Sequence, residues 1–405
     1  MDKKALSSVK VIEYADGIGA PFCGKLLADM GATVIKVERP GTGDNLRSIG
    51  PFLHNEENIE KSCSFFYVNT NKESVVLDLD REAGREIMLE LLKDADIFLR
   101  YGQPEWYEER GLDWGKLHTM NPGLIVASIT PYGESGPYKD YKANPINYIH
   151  MSGIATLNPL NSWPDLSRCP VMEGGNFEQY DVGTMAAVGL MAALYYRNNT
   201  GHGQYMELSE VEAIFQVSGT ENTNFPIYGF SQDRLGKRLE QMCSELAEAK
   251  DGWVCPYFVQ DHEYINAARV FGREDWIEAG WLTNDEAREP HRDEFKAEFR
   301  KWLADKTREE ACTLAQKGKV AMAPVMTMAE AKEMEQFKYR EFFTEVDHPV
   351  WGKTKMVSRP FIMEKTPMKV EHAAPMLGEH TEQVLKTIGM DEARIAELKS
   401  DGVIA

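Results

Sequence analysis

Residues 9–37 read VKVIEYADGIGAPFCGKLLADMGATVIKV. Val9 to Tyr14 is a short, mostly apolar run of the kind that forms a buried strand. Ala15-Asp16-Gly17-Ile18-Gly19 makes a turn, and Pro21 suits the first turn of a helix, where its missing N–H is no loss. Phe22, Leu26 and Met30 then recur every four residues, with Cys23 and Leu27 alongside, so one face of that helix is apolar. Gly31 stops it, and Thr33 to Val37 forms a second strand. Strand, helix and strand in so short a span make a βαβ unit, which dictates parallel pairing through a right-handed crossover.

The same alternation continues outward. Ser74 to Leu79, Ile97 to Leu99, Leu124 to Ile129 and Tyr205 to Leu208 read as strands. Arg81 to Lys93 reads as a helix whose buried face carries Ile87, Met88, Leu91 and Leu92. The fold expected is α/β, with an open Rossmann-like parallel sheet in a large domain. Gly183 to Tyr196 is a nearly uncharged helix, apolar all round, as in a core or a subunit contact. From about residue 225 charged helices take over, with Phe295, Phe299, Trp302 and Leu303 on one face. These changes predict a large domain starting at 1–215, a smaller α+β domain at 225–330, and a return segment at 331–405 completing the large domain. Residues 358–375 are proline-punctuated and extended, and Thr381 to Ile388 and Asp391 to Lys399 are short helices.

The chain has 405 residues, 43% of them hydrophobic and 27% charged, with a net charge of −19. A nucleic-acid binder or a protein of anionic membrane surfaces needs a basic face, so neither partner is expected. The charge-free stretch Val182 to Tyr196 falls short of the ~20 residues of a spanning helix. The N-terminus has no apolar signal region. The six cysteines, Cys243 among them, form no CxxC pair, and the histidines show no ligand spacing. Disulfides and metal are not expected, and a reducing cytoplasm is. Lys36, Arg39, Arg47, Lys72 and Arg100 follow strand ends, where an open α/β sheet binds its ligands, and together they suggest an anionic ligand such as a phosphorylated cofactor. The turn G-I-G-A-P-F-C-G departs from G-x-G-x-x-G, which weakens a dinucleotide dehydrogenase. No Walker A run exists, and Gly133-Glu134-Ser135-Gly136 reads as a turn, not a nucleophile elbow.

The run from Gly19 to Gly41, GAPFCGKLLADMGATVIKVERPG, resembles the opening of the family III CoA-transferases. Further matches follow in family order: Asn71-Lys72 with Val76-Leu77-Asp78-Leu79, Ile129 to Pro137, Thr200-Gly201-His202-Gly203-Gln204, Lys250-Asp251-Gly252-Trp253 and Leu377-Gly378-Glu379-His380-Thr381. The resemblance covers essentially the whole chain. It implies two chains threaded as interlocked rings and CoA exchange between an acyl-CoA and a carboxylic acid. CoA and acyl-CoA are then substrates, with no tightly bound cofactor and no metal. In the family an aspartate carboxylate attacks the thioester and forms a mixed anhydride. CoA thiolate returns to give an enzyme-bound thioester, which the acceptor carboxylate then resolves.

One departure bears on the chemistry. The family's nucleophilic aspartate stands 22 residues before the first glycine of the G-x-G turn, and here, before Gly201, that position is Gln179. An amide cannot form the anhydride. Three arrangements remain: a homologous partner subunit supplies the aspartate, Asp181 or Glu178 substitutes for it, or the chain is an inactive CoA-binding scaffold. Catalytic geometry tolerates ~1 Å of misplacement poorly, which favours the partner. The related α-methylacyl-CoA racemases need a histidine and an aspartate, and here those positions are Asn144-Pro145 and Gln179, so that activity is not expected. The resemblance carries CoA contacts onto Gly17, Arg39 and Leu77. It places Arg100 and Tyr101 where the family has Asn-Phe, then Arg110, and Thr130 where a lysine is frequent. Among members with unequal subunits, the chain is similar to the aspartate-lacking subunit of succinyl-CoA:benzylsuccinate CoA-transferases, which implies succinyl-CoA as donor and (R)-benzylsuccinate as acceptor. Citramalate or malate CoA-transferases are the alternative. Trp106, Tyr107 and Phe177 are candidate aromatics for a phenyl-accepting pocket.

Overall fold

The computed structural model describes residues 4–157, 169–229 and 246–405, so Cys243 and residues 230–245 of the expected small domain lie outside it. The chain divides into two compact units. One comprises Met1–Ala155, Val171–Thr223 and Lys338–Ala405; the other comprises Thr156–Pro170 and Asn224–Phe337.

The first unit is built on six strands: β1 (Lys10–Tyr14), β2 (Thr33–Glu38), β3 (Glu73–Val76), β4 (Ile97–Tyr101), β5 (Ile125–Thr130) and β6 (Tyr205–Ser209). Their order is β3-β2-β1-β4-β5-β6, and every pair is parallel. Successive residues of β1 serve opposite faces, as pleating requires. Val11 joins a core with the first helix (Gly19–Asp29) and the long helix Phe177–Thr200. Ile12 joins a core with the helices Glu82–Lys93, Thr381–Thr387 and Glu392–Ser400. With both faces covered, the strands are apolar on both sides, which is why they appear in the sequence as short continuous runs.

The long helix departs from expectation in two ways. It starts at Phe177 rather than Gly183, after Asn176 in the left-handed conformation (φ 59°). The polar residues Glu178, Gln179 and Asp181 hid its first turns from a hydrophobicity pattern. It is also buried on one side only: Val182, Ala186 and Leu190 are buried, whereas Val188 is 62% and Tyr195 75% exposed in the single chain. The buried side crosses the first helix at glycines. A Cβ on Gly183 would lie 2.5 Å from the Gly19 carbonyl oxygen, so only glycine permits this approach.

Beneath the sheet's carboxyl edge lies a knot of buried charge. The Glu13 carboxylate accepts from Lys36 Nζ at 3.0 Å and from Lys72 Nζ at 2.8 Å, and all three side chains are inaccessible. Lys36 also reaches Asp44 at 2.7 Å and the Ala15 carbonyl at 2.7 Å. Lys72 donates to the Pro21 carbonyl at 2.7 Å. Arg47 holds Glu38 bidentately, at 2.7 and 3.0 Å, and lies 3.7 Å over the Phe65 ring. Burial opposes ionisation of Glu38, yet Arg47, Lys36 and the Ser74 hydroxyl together outweigh it and keep the carboxyl below its ordinary range.

The C-terminal return closes this unit. β10 (Phe343–Val346) and β11 (Thr354–Val357) form an antiparallel hairpin, and Trp351 in the turn between them stacks on Phe66 with ring centroids 4.3 Å apart. The last residues then hydrogen-bond along β3, with Val76 N–H donating to Thr381 Oγ1 at 3.1 Å and Asp78 N–H to the Val403 carbonyl at 2.8 Å. The second unit carries an antiparallel sheet of β7 (Ala247–Ala249), β8 (Gly252–Pro256) and β9 (Met322–Pro324), packed with helices around Phe258, Tyr264, Phe295 and Phe299. Among the described residues, no helix is long and apolar enough to cross a membrane.

Glu13→Gln removes the carboxylate shared by two buried ammonium groups. It is expected to lower stability by about 3–5 kcal/mol, as breaking buried pairs does. A denaturant midpoint within about 1 kcal/mol of the parent's would refute the central role given to this knot. Gly183→Ala is expected to destabilise by roughly 1–3 kcal/mol through overpacking, read as a lower melting temperature.

Candidate functional site

Strand order reverses between β1 and β4, with β2 and β3 added on one side and β4 to β6 on the other, and ligands bind at such a switch point, beyond the carboxyl ends of the strands. A cleft of about 400 Å³ opens there. It is lined by Tyr14 and Asp16 at and after the end of β1, Arg39 after β2, Asp78 to Asp80 after β3, and Tyr101 to Gln103 with Trp106 and Tyr107 at and after the end of β4. Trp106 stacks on Tyr14 with centroids 5.3 Å apart, and the Arg110 guanidinium lies 3.9 Å over Trp106. The result is an aromatic wall with a cation behind it. Arg39 in the cleft wall and Arg110 behind Trp106 are already paired: Arg39 holds Asp16 at 2.9 and 3.2 Å, and Arg110 Nε donates to Asp80 at 3.2 Å.

The cations expected to serve a ligand divide sharply. Arg39 lines the cleft, but Lys36, Lys72 and Arg47 point into the buried knot. Arg100 is buried as well. It donates to Ser128 Oγ at 3.1 Å and to the Tyr205 hydroxyl at 2.6 Å, and it packs 4.4 Å over the Tyr107 ring. Sequence position alone could not separate a cation aimed outward from one recruited by a buried carboxylate. Leu77 is a fully buried core residue. Thr130 is buried at the end of β5, in register with Ser209, with its hydroxyl unpartnered among the described residues.

A second cavity, of about 480 Å³, shares Asp16 and Tyr101 with the first. Its wall includes Gly17 to Gly19, Asn144, Tyr148, Asn176, Gln179 and Glu210. Gly17 has a positive φ of 84° and donates its N–H to Asp44 Oδ1 at 3.1 Å, so the buried knot also shapes this turn. The glycine crossing of the two helices brings Gln179 to it. Gln179 Nε2 lies 3.5 Å from the Tyr148 hydroxyl. That hydroxyl donates to Glu210 Oε1 at 3.1 Å, and the Tyr101 hydroxyl donates to Glu210 Oε2 at 3.1 Å. Burial pushes the Glu210 carboxyl up to about 7, with the two hydroxyl donors only partly opposing it. Burial and Glu210 together hold the Tyr148 and Tyr101 hydroxyls above their usual range.

The carboxylates flanking Gln179 do not line this cavity. One residue is about 100° around a helix, so Glu178 and Asp181 face away from Gln179. Glu178 is buried and accepts from the Glu173 N–H at 3.4 Å. Asp181 is half-buried, and burial and Glu173 raise its carboxyl. Trp106 and Tyr107 belong to the first cleft, and Phe177 is 61% exposed at the start of its helix. Glu210, Tyr148 and Asp16 were not singled out in the sequence. The position of Glu210, directly after β6 at a helix start, is the signal that could have found it.

A family model described as CoA-transferase family III matches residues 6–381. The chain is 29% identical to the formyl-CoA:oxalate CoA-transferase of Rhodopseudomonas palustris (strain HaA2), over 99% of this chain and 98% of that protein. It is also 29% identical to the succinyl-CoA–L-malate CoA-transferase beta subunit of Chloroflexus aurantiacus, over 98% of each. Among solved structures, a CAIB/BAIF family protein from Brucella suis superposes with a TM-score of 0.82 at 25% identity, covering 95% of this chain and 99% of that one. A switch-point cleft, a second cavity beside it and a family match across nearly the whole chain agree: this protein belongs to CoA-transferase family III and is a CoA-transferase, with CoA thioesters as its substrates.

Proposed function

We propose that this chain is the non-nucleophilic subunit of a hetero-oligomeric CoA-transferase, interlocked with a homologous subunit that carries the catalytic aspartate. The observation behind this is Gln179, an amide facing the cavity where the family's carboxylate is expected, with both neighbouring carboxylates turned away. In the assembled enzyme the partner's aspartate attacks the acyl-CoA carbonyl, giving a mixed anhydride and CoA thiolate. The thiolate attacks the aspartyl carbonyl and expels the donor acid, leaving an aspartyl-CoA thioester. The acceptor carboxylate then displaces CoA thiolate to form a second anhydride, and the thiolate attacks its acceptor carbonyl, releasing the new acyl-CoA and the free aspartate. Succinyl-CoA is the donor in this proposal and (R)-benzylsuccinate the acceptor. A malate-type dicarboxylate is the second reading, favoured by the Chloroflexus beta subunit and by the polar wall of the Gln179 cavity. A cytoplasmic location belongs to the same proposal and rests on the cysteine pattern.

Weak CoA binding by this chain's own cleft fits the same role. Asp16 and Asp80 occupy the guanidinium groups that would meet phosphates. Asp16→Asn is expected to remove the negative charge that Arg39 faces, leaving its contacts to the Gly43 carbonyl and Asn45, and to tighten CoA binding several-fold, measured by calorimetry at low salt. Unchanged or weaker affinity would show that Arg39 does not face the bound CoA.

The full chain alone is expected to show no CoA transfer from succinyl-CoA to benzylsuccinate or L-malate, and co-expression with an aspartate-bearing homologue to produce it. Turnover by the lone chain, or an acyl or CoA adduct on Glu178 or Asp181 by mass spectrometry, would overturn the proposal. Failure of every homologous partner to elicit activity would overturn it as well.

A further inference from the structure

Glu210 is a buried carboxyl in the wall of a ligand-sized cavity, and no lysine or arginine lines that cavity among the described residues. The groups that face it are Tyr101 from β4 and Tyr148 from the helix Pro145–Met151, with Gln179 of the long helix one step beyond Tyr148. The other carboxylate in the wall, Asp16, is held by Arg39. A buried polar side chain normally has its hydrogen-bonding capacity met, so the protons in this chain can be inventoried.

When Glu210 is ionised it is a pure acceptor, and both tyrosine hydroxyl protons are committed to it. When it is neutral it carries a proton of its own. It then donates to one tyrosine and accepts from the other, and the first tyrosine's hydroxyl proton is released to point elsewhere. Both hydroxyls belong to residues that line the cavity, so the released proton is available to a ligand oxygen. Protonation also removes a negative charge that would repel an anionic ligand in a poorly solvated site.

We propose that Glu210 is a proton-exchanging positioning residue of this cavity: a ligand carboxylate binds with uptake of one proton from solvent onto Glu210, which turns a tyrosine hydroxyl toward the ligand. The inference rests on reading the Gln179 cavity as an acid-substrate pocket that has lost its nucleophile. It gives that pocket a non-covalent task, to hold a carboxylate through neutral donors. The only bonds that change are the O–H bond formed on Glu210 and the one broken in the proton donor. The proton comes from water or buffer, and the tyrosine retains its own while redirecting it.

The experiment is titration calorimetry of the full chain with succinate in buffers of different ionisation enthalpy, from pH 5.5 to 8.5. Because burial places the Glu210 carboxyl near 7 in the free protein, uptake of roughly half a proton per succinate is expected at pH 7. Affinity is expected to fall about tenfold per pH unit well above that point. Glu210→Gln is expected to bind succinate without proton uptake and with a flat pH profile. Tyr148→Phe removes one donor to the carboxylate and is expected to move the uptake profile to higher pH, a result that does not depend on the first variant folding. Succinate binding without proton uptake in the parent, the same uptake in Glu210→Gln, or no succinate binding at any pH would each overturn the inference. Lone-chain turnover would overturn the partner-subunit reading while leaving proton uptake intact, so the two failures are distinguishable.

Thermal melting adds a ligand-free test. The ordinary glutamate value is 4.5 and the folded value about 7. Between them the folded state holds a proton that the unfolded chain has lost, so the parent loses stability as pH rises through that window. Glu210→Gln has no such term and is expected to gain several degrees on the parent between pH 5 and 8. A constant difference in melting temperature across that range would show that Glu210 does not titrate there.

Discussion

The Glu13 carboxylate, shared by Lys36 and Lys72 and wholly removed from solvent, is the constraint on which the site depends. Charges in the middle of a parallel sheet are costly unless each is met by a partner and further hydrogen bonds. Here the further bonds go to the backbone. Lys36 holds the Ala15 carbonyl, Lys72 holds the Pro21 carbonyl, and Asp44, itself paired with Lys36, receives the Gly17 N–H. Both sides of the turn after β1 are thereby tied to β2 and to the segment before β3. Gly24 completes the arrangement, since a Cβ there would fall 1.9 Å from the Glu13 carboxylate.

Fixing that turn fixes two cavities at once, because Asp16 lines both. Tyr101, at the end of β4, is the other shared wall, and it is also a donor to Glu210. The cleft on the β2 and β3 side is aromatic and rich in paired charge, while the cavity on the side of the long helix is lined by neutral donors around one unpaired carboxyl. An amide at position 179 suits the second environment. It can hydrogen-bond to Tyr148 without adding another charge to a cavity that no lysine or arginine lines among the described residues. A nucleophilic carboxylate at that position would face a different electrostatic problem, with Glu210 as its near neighbour.

Much of the fold was legible because its signals are local. The strand-helix-strand pattern of residues 9–37 depends on residue spacing, and the structure repeats it with β1, the first helix and β2. The start of the long helix was not legible, since Glu178, Gln179 and Asp181 break the apolar pattern while the backbone remains helical. The strand-end cations were visible as residues but not as roles. Lys36, Lys72 and Arg47 sit where ligand cations are expected and instead meet Glu13, Asp44 and Glu38, partners that lie on other elements of the fold. Arg39 alone among the five reaches the cleft.

From the order of its residues alone, this protein is a parallel α/β chain of family III character with glutamine where its relatives' chemistry calls for a carboxylate. Periodicity and covalent identity are properties of the chain itself, and no folding is needed to read them. Which side chains share a cavity, which charges cancel, and which carboxyl keeps its proton were decided only by the tertiary structure. Those properties depend on distance and on exclusion of water, and Gln179, Tyr148, Glu210 and Tyr101 acquire both only when four separate elements pack together.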